Sequence, residues 1–124
     1  MNKKRMFLVF LGGTLGGLCR FSIDTTLQYF DSFFMISTIT VNLVGPFLLG
    51  LVYNRFNDTL YASIFITGFL GSFTTFSTLT VHLTMTLEYN VLSFYIYLLC
   101  AMTFGFVMFL IGIKVQQLVG ERHV

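Results

Sequence analysis

Four long runs of apolar residues follow one another along the chain of 124 residues, at about residues 6–28, 33–53, 60–87 and 91–113. Each run reaches roughly the 20 residues that a helix needs to cross the hydrocarbon core of a bilayer. The polar segments between the runs are too short to form a soluble domain. The pattern therefore predicts an all-α membrane protein in which residues 1–124 form a single domain of four transmembrane helices.

The third apolar run contains an unusual segment, GFLGSFTTFSTLT at residues 68–80. Glycine, threonine and serine are weak helix formers, and here they fall in the middle of the run. Non-helical backbone at membrane depth is tolerated where protein buries it or where it lines a polar cavity, so such breaks indicate ion or substrate sites. The alternative is an unbroken helix whose hydroxyl groups bond back to its own carbonyl groups. Composition leaves both open.

Polar residues also occur inside the first two runs. Arg20 and Asp24 are spaced to share one face of the first helix. An arginine within a membrane is a functional-site hypothesis, although Arg20 can also be a structural charge that reaches the interface and pairs with Asp24, which we favour. Asn42 lies near the middle of the second run, where its amide needs a partner. It can hold helices together or donate N–H groups to a dehydrated anion.

The charge and composition of the chain exclude several classes of protein. Hydrophobic residues make up 56% of the sequence and charged residues only 10%, with a formal net charge of +2. There is no basic stripe for nucleic acid, and no pairing of carboxylates, no Cys/His metal spacing and no phosphate-binding loop that would indicate an enzyme. The basic N-terminus imitates a signal peptide, but no small-residue cleavage site follows, so we interpret the first run as a retained span.

The basic residues outside the apolar runs all fall on one side of the predicted membrane topology. These are Lys3, Lys4, Arg5, Arg55, Lys114 and Arg122. The opposite side carries Asp31 and Glu88. Because cytoplasmic loops are enriched in lysine and arginine, we expect both termini to be cytoplasmic.

The segment at residues 68–80 has groups for either kind of ion. Side-chain donors on Asn42, Thr75, Ser77 and Thr78 could replace the water lost by a small anion, and the ring edge of Phe76 is electropositive. Carbonyl oxygens exposed by a helix break suit a hard cation such as sodium. Each residue taken singly is equally compatible with a packing role.

Three segments taken together are specific: GGTLGGLCRF at residues 12–21, TVNLVGPFLLG at residues 40–50 and GFLGSFTTFST at residues 68–78. Their sequence, order and spacing resemble the Fluc (CrcB) fluoride channels of bacteria over nearly the whole chain. The resemblance implies a four-helix subunit of the bacterial plasma membrane that forms an antiparallel dimer with two pores. It also implies passive export of fluoride and a broken third helix.

The resemblance assigns a role to particular positions. A structural sodium ion at the dimer centre would be held by the backbone carbonyls of Gly71 and Thr74. The fluoride pathway would include Asn42 and Phe76, with the remaining positions at Thr75, Ser77, Thr78, Leu79 and Tyr97. Arg20 would be the family's arginine at the end of the first helix.

This chain departs from the family pattern where relatives carry a second phenylalanine, a glutamate and a polar track. Leu79, His82, Ala101 and Gly105 occupy these positions. An antiparallel homodimer requires insertion in both orientations, which the one-sided charge does not favour. We therefore also consider one half of a heterodimer with a single competent pore, or a non-conducting subunit. A small multidrug exporter would need a membrane carboxylate, and no glutamate lies inside the first three spans.

Overall fold

The computed structural model describes residues 2–30, 35–53 and 59–121, and within these ranges the chain is helical, with no strand. Helix α1 spans Lys3–Phe30 and α2 spans Met35–Val52. A short helix α3 (Thr59–Ala62) continues into a π-helix (Ser63–Leu70) and a single turn, α4 (Gly71–Phe73). Helices α5 (Phe76–Tyr89) and α6 (Val91–Glu121) complete the order. The all-α prediction is confirmed.

Three segments are long and apolar enough to cross a membrane by length and composition: Lys3–Leu27, Leu60–Tyr89 and Val91–Val119. A shorter apolar helix, Ile36–Val52, lies between the first two. These segments coincide with the four predicted runs within a few residues, except that α6 extends beyond residue 113. The predicted connections near residues 31 and 54–58 lie outside the described residues. A multi-pass membrane protein is the architecture that this arrangement supports.

The helices pack as two pairs. Helix α1 packs along the π-helix and α4, whereas α2 packs along α6. Asn90 alone separates α5 from α6, and its side-chain Oδ1 accepts the backbone N–H of Leu92 at 2.8 Å. An N-cap of this kind satisfies one of the free donors at the start of α6.

Close backbone approach explains the glycines of α1. A methyl group on Gly12 would collide with the carbonyl oxygen of Ile64, and one on Gly16 would lie 2.5 Å from Ser72 Oγ. Gly17 has open space around the same position. Of the two overlapping Gly-x-x-x-Gly pairs in the sequence, the Gly12 and Gly16 pair therefore makes the tight contact with the π-helix and α4.

The π-helix is a feature that the hydrophobic pattern did not predict. Its wider turns are separated from the Thr-Thr segment by the single turn α4, and π-helical turns are frequent at functional sites. Three phenylalanine rings stack along the π-helix and α4. Phe65 and Phe69 have ring centroids 5.3 Å apart, and Phe69 and Phe73 are 5.6 Å apart. Phe73 is also one of the buried apolar residues of the described chain.

Candidate functional site

Two extended residues separate α4 from α5. Thr74 has φ −76° and ψ 155°, and Thr75 has φ −136° and ψ 116°. Neither pair of angles belongs to a helix. Because the backbone turns away from the helical path here, the N–H groups of residues 75–78 form no backbone hydrogen bond to the carbonyls of residues 71–74 in the described chain.

Asn42 of α2 binds the backbone of Thr75 through both ends of its amide. Asn42 Nδ2 donates to the Thr75 carbonyl oxygen at 2.8 Å, and the Thr75 N–H donates to Asn42 Oδ1 at 3.0 Å. The two bonds provide partners for both backbone polar groups of Thr75, an extended residue that is only 7% exposed. A buried backbone group without a partner is costly, so Asn42 supplies what the missing helical turn does not. One N–H of the Asn42 amide remains for another acceptor.

The hydroxyl groups next to this contact form a small cluster. Thr75 Oγ1 lies 3.2 Å from Ser77 Oγ and 2.9 Å from Thr78 Oγ1, and it accepts the backbone N–H of Thr78 at 3.3 Å. Thr75 is therefore the N-cap of α5. Other hydroxyls do bond back to their own helix, as in Thr80 Oγ1 to the Ser77 carbonyl at 2.6 Å. Both expected behaviours of the serine and threonine residues thus occur, on different residues.

The start of α5 presents backbone N–H groups near the cluster. Within the described residues, the N–H groups of Phe76 and Ser77 have no hydrogen-bond acceptor, and Phe76 is 74% exposed. The first N–H groups of a helix carry a partial positive charge that favours an anion. The structure therefore places unpaired donors beside the hydroxyl groups of Ser77 and Thr78.

The carbonyl oxygens of Gly71 and Thr74 lack the N–H donors that a continuous helix would supply. The helical donor for Gly71 would be the Thr75 N–H, which instead bonds to Asn42. The helical donor for Thr74 would be the Thr78 N–H, which instead bonds to Thr75 Oγ1. Carbonyl oxygens released from a broken membrane helix are suitable ligands for sodium, so the residues present at Gly71 and Thr74 fit such an ion.

An open groove of about 1020 Å³ runs beside the break, between α2, the π-helix and α6. Its lining is mostly apolar and includes five of the predicted pathway positions, together with the two predicted sodium ligands: Asn42, Thr75, Phe76, Leu79, Tyr97, Gly71 and Thr74. Ser77 and Thr78 do not line it. The Tyr97 hydroxyl is buried and has no hydrogen-bond partner within the described chain.

Arg20 and His82 lie away from this arrangement. Arg20 is half-buried on α1, and no ion pair joins it to Asp24 among the described residues. His82 is 5% exposed and its Nδ1 atom has no partner in the described part of the chain. Groups of three or more metal-binding side chains are absent from that part.

Comparison with known proteins places the chain in a family. Residues 7–113 match the family described as CrcB-like protein, Camphor Resistance (CrcB). A protein of Gloeothece citriformis named "Fluoride-specific ion channel FluC" is 35% identical over 115 residues, covering 87% of this chain and 93% of its own. One of Bacillus cereus, named "Fluoride-specific ion channel FluC 1", is 32% identical over 130 residues, covering 99% and 95%.

A shorter match extends the comparison. A protein of Nitratiruptor, also named "Fluoride-specific ion channel FluC", is 42% identical over 85 residues, which are 65% of this chain and 66% of that protein. The family match covers all three sequence segments on which the resemblance rests, including Asn42 and Thr75. The chain therefore belongs to the CrcB family of membrane ion channels.

Proposed function

We propose that this chain is a subunit of a fluoride-selective channel that lets fluoride leave the cytoplasm passively. The observation that carries the proposal is the break at Thr74 and Thr75, which brings unpaired N–H groups of α5, a hydroxyl cluster and Asn42 together beside one groove. The names of the relatives, which are fluoride-specific channels, support the identity of the ion.

Fluoride would exchange its hydration shell for donors supplied by the protein. The remaining N–H of Asn42, the N–H groups at the start of α5 and the hydroxyls of Ser77 and Thr78 are candidates for this exchange. The exposed ring of Phe76 adds an electropositive edge. Thr75 acts through the cap of α5, and Leu79 and Tyr97 line the groove farther along. Arg20 is proposed as a structural charge outside this path.

Sodium would be a structural ion bound by the carbonyl oxygens of Gly71 and Thr74. Its charge would hold the two carbonyl dipoles of a broken helix together in a region without water. Two ligands from one chain are few for an ion in this class. A second subunit related by an antiparallel two-fold axis would supply the same two carbonyls again, which makes four.

The apolar groove supports the dimer. It runs past the break, none of its lining residues belongs to α1, and an exposed Phe76 ring borders it. A second subunit would cover this surface and would complete the pathway walls. We place the dimer in the bacterial plasma membrane with the termini of this subunit in the cytoplasm, in accord with the six basic residues on that side.

A paired subunit of different sequence is the alternative partner. The one-sided charge of this chain favours a single orientation, and an antiparallel dimer then needs a partner of opposite orientation. The groove is lined by Leu79 and Ala101, neither of which offers a donor or an electropositive edge. These two positions also favour the second candidate function, a non-conducting subunit required for assembly.

Fluoride efflux from liposomes that contain the purified chain in sodium buffer tests the function. Fluoride-selective efflux from this chain alone, with chloride efflux at background, would establish conduction by a dimer of identical subunits. Thr40→Ala is the matched control for Asn42→Ala. Thr40 lies on α2 near Asn42 but its hydroxyl bonds only to the Ile36 carbonyl of its own helix. Efflux that appears only after a related subunit is added would establish the paired form, and no efflux in either case would contradict conduction by this chain.

A further inference from the structure

We propose that Asn42 and the hydroxyl of Thr75 are the positioning residues of the cation site, because they divert the two N–H groups that would otherwise close the helix over its carbonyl ligands. The inference rests on the proposed sodium site and adds to it. It assigns Asn42 to cation binding as well as to the anion pathway, and it assigns the Thr75 hydroxyl to the cation site through the cap of α5.

The register of the helix identifies the two diverted donors. In an α-helix the N–H of residue i bonds to the carbonyl of residue i−4. The donor for Gly71 is thus the N–H of Thr75, and the structure directs it to Asn42 Oδ1 at 3.0 Å. A carbonyl that has lost its helical donor keeps both lone pairs for another ligand.

The second N–H group is redirected in the same way, by a side chain of the same segment. The helical donor for Thr74 is the N–H of Thr78, and Thr75 Oγ1 accepts it at 3.3 Å. The contacts with Ser77 Oγ and Thr78 Oγ1, at 3.2 and 2.9 Å, hold the Thr75 hydroxyl in that position. For each proposed sodium ligand, one side-chain acceptor therefore binds the N–H group that would otherwise occupy the carbonyl oxygen.

The consequence of losing either acceptor follows from burial. Thr75 is 7% exposed, so its N–H has few other acceptors when Asn42 Oδ1 is removed. The nearest alternative acceptor in sequence register is the carbonyl of Gly71. Closure of that bond extends α4 by one residue and occupies the oxygen that the cation needs, so sodium and the helical N–H compete for one carbonyl.

The same amide links the cation site to the anion pathway. Asn42 holds Thr75 with Oδ1 and one Nδ2–H, and its second Nδ2–H is the donor available to an anion in the groove. Displacement of Asn42 therefore removes an acceptor from the cation site and a donor from the anion pathway, whereas loss of the Thr75 hydroxyl removes an acceptor from the cation site and reaches the anion pathway only through the Ser77 and Thr78 hydroxyls. This difference gives the two residues distinguishable phenotypes.

The test measures sodium binding without relying on ion flux. The full chain, purified in detergent, is melted at increasing sodium chloride, with choline chloride keeping the ionic strength constant. The wild type should melt at a higher temperature in sodium, which defines a half-saturating concentration. Asn42→Ala and Thr75→Val should each raise that concentration by about tenfold, as expected for the loss of one hydrogen bond that holds a ligand.

Conservative variants separate positioning from a general loss of structure. Thr75→Ser keeps the hydroxyl and should stay within about threefold of the wild type. Asn42→Asp keeps an oxygen that can accept the Thr75 N–H but loses the donor to the Thr75 carbonyl, so it should bind sodium more tightly than Asn42→Ala. Thr40→Ala should match the wild type. Thr75→Val keeps the shape of threonine without the hydroxyl and Thr75→Ser keeps the hydroxyl without the methyl group, so this pair decides the question if Asn42→Ala does not fold.

Three results would overturn the inference. Sodium binding by Asn42→Ala and Thr75→Val that equals the wild type would show that neither acceptor matters. Equal weakening in Thr75→Val and Thr75→Ser would assign the effect to packing. A wild type that sodium does not stabilise would remove the cation site itself, and fluoride efflux from liposomes would then still show whether the channel function stands.

Discussion

The hydroxyl of Ser72 donates to the carbonyl oxygen of Gly13 at 2.6 Å, which joins the turn before the break directly to the backbone of α1. This contact exists because Gly16, one turn farther along α1, has no side chain to keep the two segments apart. The break at Thr74 is thus held from two sides, by α1 through Ser72 and by α2 through Asn42.

Replacement of Gly16 by alanine should destabilise the subunit. The new methyl group would lie 2.5 Å from Ser72 Oγ and still closer to the Phe69 carbonyl, which is backbone and cannot move aside. We expect a cost of about 1–3 kcal/mol, typical of overpacking, measured as a lower melting temperature in detergent. Gly17→Ala is the matched control, since nothing lies within 4 Å of its added methyl group. Equal melting temperatures for the two variants would contradict this packing.

The contact between α2 and α6 depends on a second pair of glycines. A methyl group on Gly50 would lie 2.9 Å from Gly112 Cα, and one on Gly112 would lie 3.0 Å from Gly50 Cα. Either alanine variant should lower the melting temperature, again by overpacking of about 1–3 kcal/mol. Gly105→Ala should be tolerated, because its methyl group would meet the Asn42 carbonyl oxygen at 3.9 Å and Pro46 at 4.0 Å. A loss of stability confined to Gly105→Ala would overturn the expectation.

The sequence predicts more of the fold than of the candidate site. Apolar runs predicted the helices, because that signal is local, whereas the crowding of Gly71, Thr74 and Thr75 left a broken and an unbroken helix both open. The π-helix left no such signal in the hydrophobic pattern. Nor does the sequence show which hydroxyl caps α5 or that both ends of the Asn42 amide bind Thr75, because these depend on how two distant segments meet.

Restoring an aromatic ring at Leu79 should increase fluoride flux. Leu79 lines the groove together with Phe76, and a phenylalanine there would add a second electropositive ring edge to the path. An edge contact worth about 0.5–1.5 kcal/mol in the rate-limiting region corresponds to a two- to tenfold change in flux. The measurement is initial fluoride efflux from liposomes at equal protein density.

The control for Leu79→Phe places the same ring elsewhere on α5. Val81 is 49% exposed and does not line the groove, so Val81→Phe should leave flux unchanged. The complementary variant Phe76→Ile removes the existing ring and should reduce flux by a similar two- to tenfold factor. Increased flux in both phenylalanine variants, or unchanged flux in Phe76→Ile, would argue against a role for ring edges at these positions.

The orientation of the subunit should depend on a few lysines. Lys3, Lys4 and Lys114 fall on the predicted cytoplasmic side, where Arg5 is also present but bonds to Ser63 Oγ through Nε at 2.7 Å. Neutralising the three lysines to glutamine removes much of the charge bias and leaves the Arg5 contact intact. A paired reporter at the C-terminus, one signal for each side of the membrane, should show a single orientation in the wild type and a mixture in the triple variant.

The two orientations also decide the partner. If the wild type inserts one way and the triple variant both ways, the variant alone should gain the ability to form antiparallel homodimers, detected as fluoride efflux without a second subunit. Gln117→Lys, which adds a charge on the side already basic, should keep the single orientation. A wild type that inserts in both orientations in equal amounts would contradict the paired form, because this subunit could then supply its own antiparallel partner.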